Sequence, residues 1–512
     1  MKRKIKRFFD IFGLLLITAI VVFSIYMKNT YSNVPFEELY FYIFNGVTNS
    51  DIGVFAKAIF DSLPYIIIVF TILFVLFFDI TRGKKKFKLY PIKIFNRHRG
   101  KIIIVLLVLS IIFGLYNLNL FTFLKNANSE SSFIEFNYTN PKTTKVEFET
   151  KKNLIFIVVE SLETTLFDKE HGGSWNYEVT PELYQLLNEE DSVTFYNQNK
   201  AQGMKMISGA SYTTASVFAN TSGLPFKIPI DGNSYHSKNF MNGAYTLGDL
   251  LKDNGYYNEL ISSARTSFGG IKEYFTKHGN YSIVDVDSVK DYNLKITDSD
   301  YGAWGFNDNY LFKVAKKRLT EVSKKDEPFN MTLIGIDTHF PDGLVGNYTT
   351  NKYKTQYENV YATESKLIYD FISWVKEQDF YKDTTIVIVG DHLSMQSEYF
   401  NSRGATDRYV YNCIINSYVS TENNSNRQFS ALDTFPTIVS SIGGKIEYDK
   451  LGLGINLFSD KKTMLERYSY KYINEELLKK SEFYDRSIID DDYINNTDKK
   501  DITTDEKIAI AE

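Results

Sequence analysis

The sequence predicts an α/β protein behind a membrane anchor, its body a mostly parallel sheet flanked by helices. Two observations point there. Short runs dense in Ile, Leu and Val, "NLIFIVVE", "NMTLIGID" and "TTIVIVGDH", recur beyond residue 151, as expected of strands buried on both faces of a parallel sheet. Helical patterns such as "TPELYQLLNEE" and "ATESKLIYDFISWVKEQ" lie between them, and that alternation belongs to a doubly wound sheet.

The anchor comes first. Apolar stretches at about residues 11–27, 63–78 and 102–123 approach or meet the roughly 20 residues a spanning helix needs. Pro64 falls in the first turn of the second stretch, where a missing N–H is harmless. Lys2, Arg3, Lys4, Lys6 and Arg7 precede the first stretch, and nine basic residues from Arg82 to Lys101 separate the second from the third. The loop between the first two carries Glu37, Glu38, Asp51 and Asp61. The positive-inside bias then puts the N-terminus and the basic loop in the cytoplasm, and everything after about residue 125 outside. No small-x-small cleavage pattern follows the first stretch, which argues against a signal peptide.

Composition narrows the partners. A formal net charge of −4 over 512 residues leaves no electrostatic footprint for a nucleic acid. Cys413 is the only cysteine, so an intramolecular disulfide and a CxxC metal site are both excluded.

Four segments follow from these patterns: an anchor of three transmembrane helices over 1–127, a tether over 128–150, the α/β body over 151–465, and a polar tail over 466–512. The tether shows no helical period. At its start "KKTMLERYSYKYINEELLKK" could form a helix, but "DDDYINNTDKKDITTDEK" is too polar to bury anything. Within the body, Thr180 is placed to cap a helix that opens on Pro181.

In an open α/β sheet, ligands collect at the carboxyl ends of the strands. Three strands end in polar chemistry: Glu160 after "NLIFIVV", Asp337 and His339 in "GIDTHFPDG", and Asp391 with His392 after "IVIVG". Gly390 would let the backbone turn sharply there. Carboxylates and an imidazole gathered at one edge are costly to bury without a cation. Oxygen-rich ligation with one nitrogen suits Mn²⁺ or Mg²⁺ and is compatible with Zn²⁺. A nucleophile is offered by "GMKMISGASYTTASVFANTSGLP", which leads into a helix from about residue 214. A hydroxyl at a helix N-terminus faces free N–H groups that favour a bound phosphate. On spacing alone Ser211, Thr213, Thr214 and Ser216 all qualify.

With these residues assembled, about residues 153–460 resemble the membrane-anchored phosphoglycerol transferases of the alkaline-phosphatase/sulfatase superfamily, which include lipoteichoic acid synthases and a glucan-modifying branch. The carriers are "NLIFIVVESLE", "SYTTASVFANTSGLP", "SFGGIKEYFTKHG", "WGFNDNYLF", "DTHFPDG" and "VGDHLSM", in that order behind spanning helices. The resemblance implies a sulfatase-like fold, Glu160, Thr213, Asp391 and His392 as ligands of one divalent metal, usually Mn²⁺, Thr213 as nucleophile, and His339 as the contact to the phosphoglycerol group. It implies phosphatidylglycerol as donor, a cell-surface glycan or polymer as acceptor, a covalent phospho-threonine intermediate, and a multi-pass bacterial membrane protein with an extracellular catalytic domain. Gly269 and Ile271 fall where lipoteichoic acid synthases carry Trp and Arg, which favours glycan decoration over polymer synthesis. A phosphoethanolamine transferase shares the metal and threonine chemistry, whereas a sulfatase needs a nucleophile context that "YNCIINS" around Cys413 does not supply. The non-enzymatic alternative is a membrane-tethered glycan-binding scaffold.

Overall fold

A computed structural model describes residues 2–30, 36, 51–78, 90–227, 240–292, 294–302 and 304–489. They form two compact units, one built on the N-terminal helices and one on the sheet.

Three helices of the first unit, Lys2–Thr30, Asp51–Phe78 and Tyr90–Asn117, contain stretches long and apolar enough to cross a membrane: Lys4–Asn29, Ile59–Phe78 and His98–Asn117. Leu14, Ile17, Phe77 and Ile103 pack together, and Arg99 pairs with the buried Asp10 at 2.8 Å. Outward-facing Ile67, Ile68, Val105 and Leu109 remain exposed, as spanning segments require. Two details depart from expectation. The second helix starts at Asp51, so Pro64 lies in its interior and removes the N–H that would otherwise bond the carbonyl one turn earlier. The third ends at Asn117, and Leu120–Ala127 forms a separate helix after Asn119 adopts a positive φ of 58°. Most of the basic loop, residues 79–89, and the loop at 37–50 lie outside the described residues.

The second unit is a seven-stranded sheet. Its strands are β2 (Asn153–Val159), β3 (Ser192–Val193), β4 (Tyr257–Ser262), β5 (Ser282–Val284), β6 (Phe329–Ile334), β7 (Thr384–Gly390) and β8 (Asn412–Ile415); β1 (Val146–Phe148) lies outside the sheet. The order is β3-β8-β7-β2-β6-β4-β5, parallel from β7 to β5, with β8 and β3 added antiparallel at one edge. Strands β6 and β7 are buried throughout, which explains their unbroken apolar runs. The helix Gln356–Lys376 is fixed at its start by a reciprocal capping box between Thr355 and Glu358. Cys413 is buried on β8, where burial pushes its thiol up to about 12.

The tether expected over 128–150 is folded. Phe133–Asn137 is helical and β1 pairs antiparallel with β9 (Gly444–Ile446). The first part of the expected tail is folded too, through the helices Met464–Arg467 and Tyr470–Leu478. The two segments bind each other: Ser131 N donates to Lys480 O at 2.9 Å, Lys480 N donates to Ser129 O at 2.8 Å, and Phe133 packs edge-on against Tyr468 and Tyr472. The tether shows no period of its own, whereas "KKTMLERYSYKYINEELLKK" could be read as a helix, and Tyr470–Leu478 is one, with Ile473 and Leu477 buried. Residues from 490 onward lie outside the described residues. Thr180 precedes the helix Pro181–Leu186 without capping it by side chain; its N–H and hydroxyl both turn to Glu178 Oε1.

Candidate active site

The parallel register sets Val159 of β2 opposite Gly390 of β7, so Glu160 and Asp391 leave the sheet side by side. Asp391 N still donates to Val159 O at 3.0 Å. Gly390 is required for a different reason than a turn: a Cβ there would stand 2.0 Å from the Leu162 carbonyl oxygen. The chain bends instead at Ser161, held in the left-handed region at φ 52°, a strained conformation typical of functional sites. That bend joins the two carboxylates. Ser161 N donates to Asp391 Oδ1 at 2.7 Å and Ser161 Oγ donates to Glu160 Oε1 at 2.6 Å.

His392 N donates to Asp391 Oδ1 at 2.7 Å, and its Nδ1 lies 2.9 Å from the Leu393 carbonyl. Nε2 therefore faces the carboxylates, 3.4 Å from Glu160 Oε1 and 3.3 Å from Asp391 Oδ2. Thr213 is the first residue of the helix Thr213–Ser222, and its Oγ1 donates to Glu160 Oε2 at 3.1 Å. The other hydroxyls of this stretch are engaged elsewhere or lie ahead of the helix. Thr214 Oγ1 donates to Gly269 O at 3.0 Å, Ser216 Oγ donates to the Asp391 carbonyl, and Ser211 sits in the preceding loop.

The electrostatics suit a cation. Burial, then the neighbouring Glu160 charge, pushes Asp391 up to about 7. Burial pushes Glu160 up as well, but His339 and His392, with the Ser161 and Thr213 hydroxyls, outweigh it and hold Glu160 below its ordinary value. Asp391 Oδ2 is buried and accepts no hydrogen bond among the described residues. One ligand atom from each of Glu160, Asp391 and His392 lies within 4.8 Å of the others, and Thr213 adds a hydroxyl to that edge. Two carboxylates, an imidazole and a hydroxyl form a donor set that fits a divalent ion.

His339 holds its Nδ1 2.6 Å from the Phe340 carbonyl, and Trp304 lies against its ring with centroids 4.4 Å apart. Asp337 belongs elsewhere: it takes hydrogen bonds from Asn307 and Tyr348 and faces Asp308 and Glu364. Thr338 between them donates its hydroxyl to the Glu160 carbonyl.

Sequence reasoning missed the support of this site. Glu163, inside "VESLE", is gripped by Arg408 from 245 residues away, and the same pair holds Ser394 through its N–H and its carbonyl. A second glutamate, three residues after Glu160 in the same strand-end motif, was the available signal; its partner gave none. Trp304, inside "WGFNDNYLF", was visible only as part of a motif.

This sheet, with a threonine and metal-ready carboxylates at its carboxyl edge, has the architecture of the alkaline-phosphatase-like enzymes. The chain belongs to the sulfatase family, whose pattern matches residues 152–444. A curated relative is the phosphoglycerol transferase I of Escherichia coli O127:H6 (strain E2348/69 / EPEC), 29% identical over 315 residues, or 60% of this chain and 39% of the relative. This chain thus spans well under half the length of that relative. Among solved structures, an alkaline phosphatase superfamily protein from Vibrio parahaemolyticus is similar at 20% identity and TM-score 0.48, covering 65% of this chain and 80% of that one. The lipoteichoic acid synthase LtaP from Listeria monocytogenes is similar at 19% identity and TM-score 0.47, covering 62% and 79%.

Proposed function

We propose that this chain transfers a glycerol phosphate group from phosphatidylglycerol to a cell-surface glycan or polymer through a covalent intermediate on Thr213. One observation carries the reading: the Thr213 hydroxyl, at a helix N-terminus, donates at 3.1 Å to Glu160, which is clustered with Asp391 and His392. The relatives named phosphoglycerol transferase I support it.

Glu160, Asp391, His392 and Thr213 would hold a divalent cation, Mn²⁺ by preference. When bound, it lowers the pKa of a hydroxyl and neutralises phosphoryl charge. The side chains and backbone do the rest. Thr213 Oγ1 gives up its proton and forms a bond to phosphorus as the bond from phosphorus to the diacylglycerol oxygen breaks, and that oxygen takes up a proton to leave as the diacylglycerol hydroxyl. The first-turn N–H groups of the helix Thr213–Ser222 receive the phosphoryl oxygens. His339, with Nδ1 engaged by Phe340, offers Nε2 to the glycerol phosphate. An acceptor hydroxyl then attacks phosphorus and releases Thr213. With the sheet domain outside the cell, the three helices tether it to the membrane that holds the lipid donor.

Mass spectrometry of the full chain, incubated with phosphatidylglycerol vesicles and Mn²⁺, tests the reading. We expect a glycerophosphate adduct on Thr213, absent from Thr213→Ala. An ethanolamine phosphate adduct formed only from phosphatidylethanolamine would reassign the donor, and no adduct from either lipid would sink the transfer reaction.

A further inference from the structure

A second group of acidic side chains lies outside the site just described. Asp308 opens the helix Asp308–Val322, Asp337 follows β6, and Glu364 lies within the helix Gln356–Lys376. All three are buried, at 0%, 2% and 1% exposure, and one carboxylate oxygen from each lies within 4.8 Å of the others.

Two of them are held as acceptors. Asp308 takes the N–H groups of Ile336 and Asp337 and the hydroxyl of Ser263. Asp337 takes Asn307 Nδ2 at 3.3 Å and the Tyr348 hydroxyl. Donors of this kind favour the ionised form. Glu364 differs: its Oε2 is sealed from water and accepts no hydrogen bond among the described residues. The side-chain oxygen of Asn307, whose Nδ2 donates to Asp337, is likewise buried and has no partner among the described residues. Burial, and after it the charges of Asp308 and Asp337, push Glu364 well up.

Such a group is compensated either by protons or by a positive ion. Burial pushes Asp308 up to about 6 and, with the Asp308 charge, pushes Asp337 well up, so that the group without an ion would hold protons; the hydrogen bonds to both act the other way and favour an ion, because they stabilise those carboxylates as anions. The spacing agrees, since oxygens up to 4.8 Å apart can flank an ion whose ligands stand at about 2.3–2.6 Å. The donors are all oxygen, which selects a hard ion over a thiophilic or imidazole-seeking one. Gly335 lets the Asp308 carboxylate lie close against the chain, because a Cβ there would come within 2.8 Å of Asp308 Oδ2.

We propose that Asp308, Asp337 and Glu364 form a second, fully buried site for a hard divalent cation, Ca²⁺ or Mg²⁺. It ties together two helices and the segment that leads into His339, so its occupancy stabilises the placement of that residue without touching substrate.

The test uses the full chain in detergent micelles, stripped with a chelator, equilibrated with CaCl₂ or MgCl₂, desalted and analysed by elemental mass spectrometry. Glu160→Gln should keep one ion per chain that Glu364→Gln loses or binds at least tenfold more weakly. Asp337→Asn should behave as Glu364→Gln does, which guards against a folding defect in one variant. The wild type should melt at higher temperature with the ion, and Glu364→Gln should not respond. Equal ion content in the wild type and Glu364→Gln, or no ion retained by Glu160→Gln, would overturn the site and leave protons as the compensation. The phosphoglycerol reading is untouched by either result, because it is read from the adduct on Thr213.

Discussion

Arg408 lays its guanidinium against both carboxylate oxygens of Glu163, with Nε 2.7 Å from Oε2, and the two side chains are only 6% and 0% exposed. The same guanidinium reaches the Ser394 carbonyl at 2.9 Å, and Glu163 takes the Ser394 N–H. The pair therefore fixes the backbone two residues after His392. Removing one member of a buried pair strands the other charge, at a cost of about 3–5 kcal/mol. Arg408→Ala should lose stability of that order in chemical denaturation. Arg408→Lys should recover part of it, because a point charge cannot reproduce the two-pronged contact. A loss below about 1 kcal/mol for the alanine variant would show the pair to be energetically idle.

Trp304 and the Phe340 carbonyl fix the plane of His339 from two directions. Positioning errors are expensive in group transfer. Trp304→Ala should lower kcat by about tenfold or more with little change in melting temperature, and Trp304→Phe should restore most of it. Steady-state kinetics with a phosphatidylglycerol donor, beside a thermal melt, separates a lost platform from a lost fold.

The candidate site was legible to the extent that it sits at strand ends. Glu160, Asp391 and His392 follow apolar runs whose burial is visible in the letters, and a parallel register does the rest. Asp337 stood at an equivalent strand end yet turned to Asp308 and Glu364, because its direction depends on residues from two distant helices. Gly390 was placed correctly but for the wrong reason, since nothing local announces the approach of the Leu162 carbonyl. Arg408 was invisible because its partner lies 245 residues away.

Asp433 gives a pH signature independent of the metal-ready edge. Burial pushes its carboxyl up to about 7, against the backbone N–H groups of Ile455 and Ser430 that favour its charged form. In the unfolded chain the group titrates near 3.9. Between those values the folded state holds more protons, so this residue's contribution falls as pH rises from about 4 to 7, by up to about 1.4 kcal/mol per pH unit, and is flat above. Subtracting the stability curve of Asp433→Asn from that of the wild type isolates the effect from the other buried acids. A difference that stays level from pH 4 to 7 would refute the assignment.

The C-terminal segment should behave as part of the sheet domain. Ile473, Leu477, Tyr484 and Ile488 are all buried, Tyr484 donates its hydroxyl to the Pro225 carbonyl at 2.5 Å, and Ile488 O accepts from Gly243 N at 3.1 Å. Burying each such side chain contributes about 1.5–3 kcal/mol, so the four together rival the roughly 5–15 kcal/mol that holds a typical domain folded. A chain ending at residue 465 would also expose Phe133 and Ile134, which now pack in the interior. We expect it to lose cooperative melting and to be digested rapidly by protease, whereas a chain ending at residue 489 should melt cooperatively and resist protease. Unchanged melting of the shorter chain would mean that the segments flanking the sheet domain fold without each other, contrary to the reciprocal hydrogen bonds between Ser129, Ser131 and Lys480.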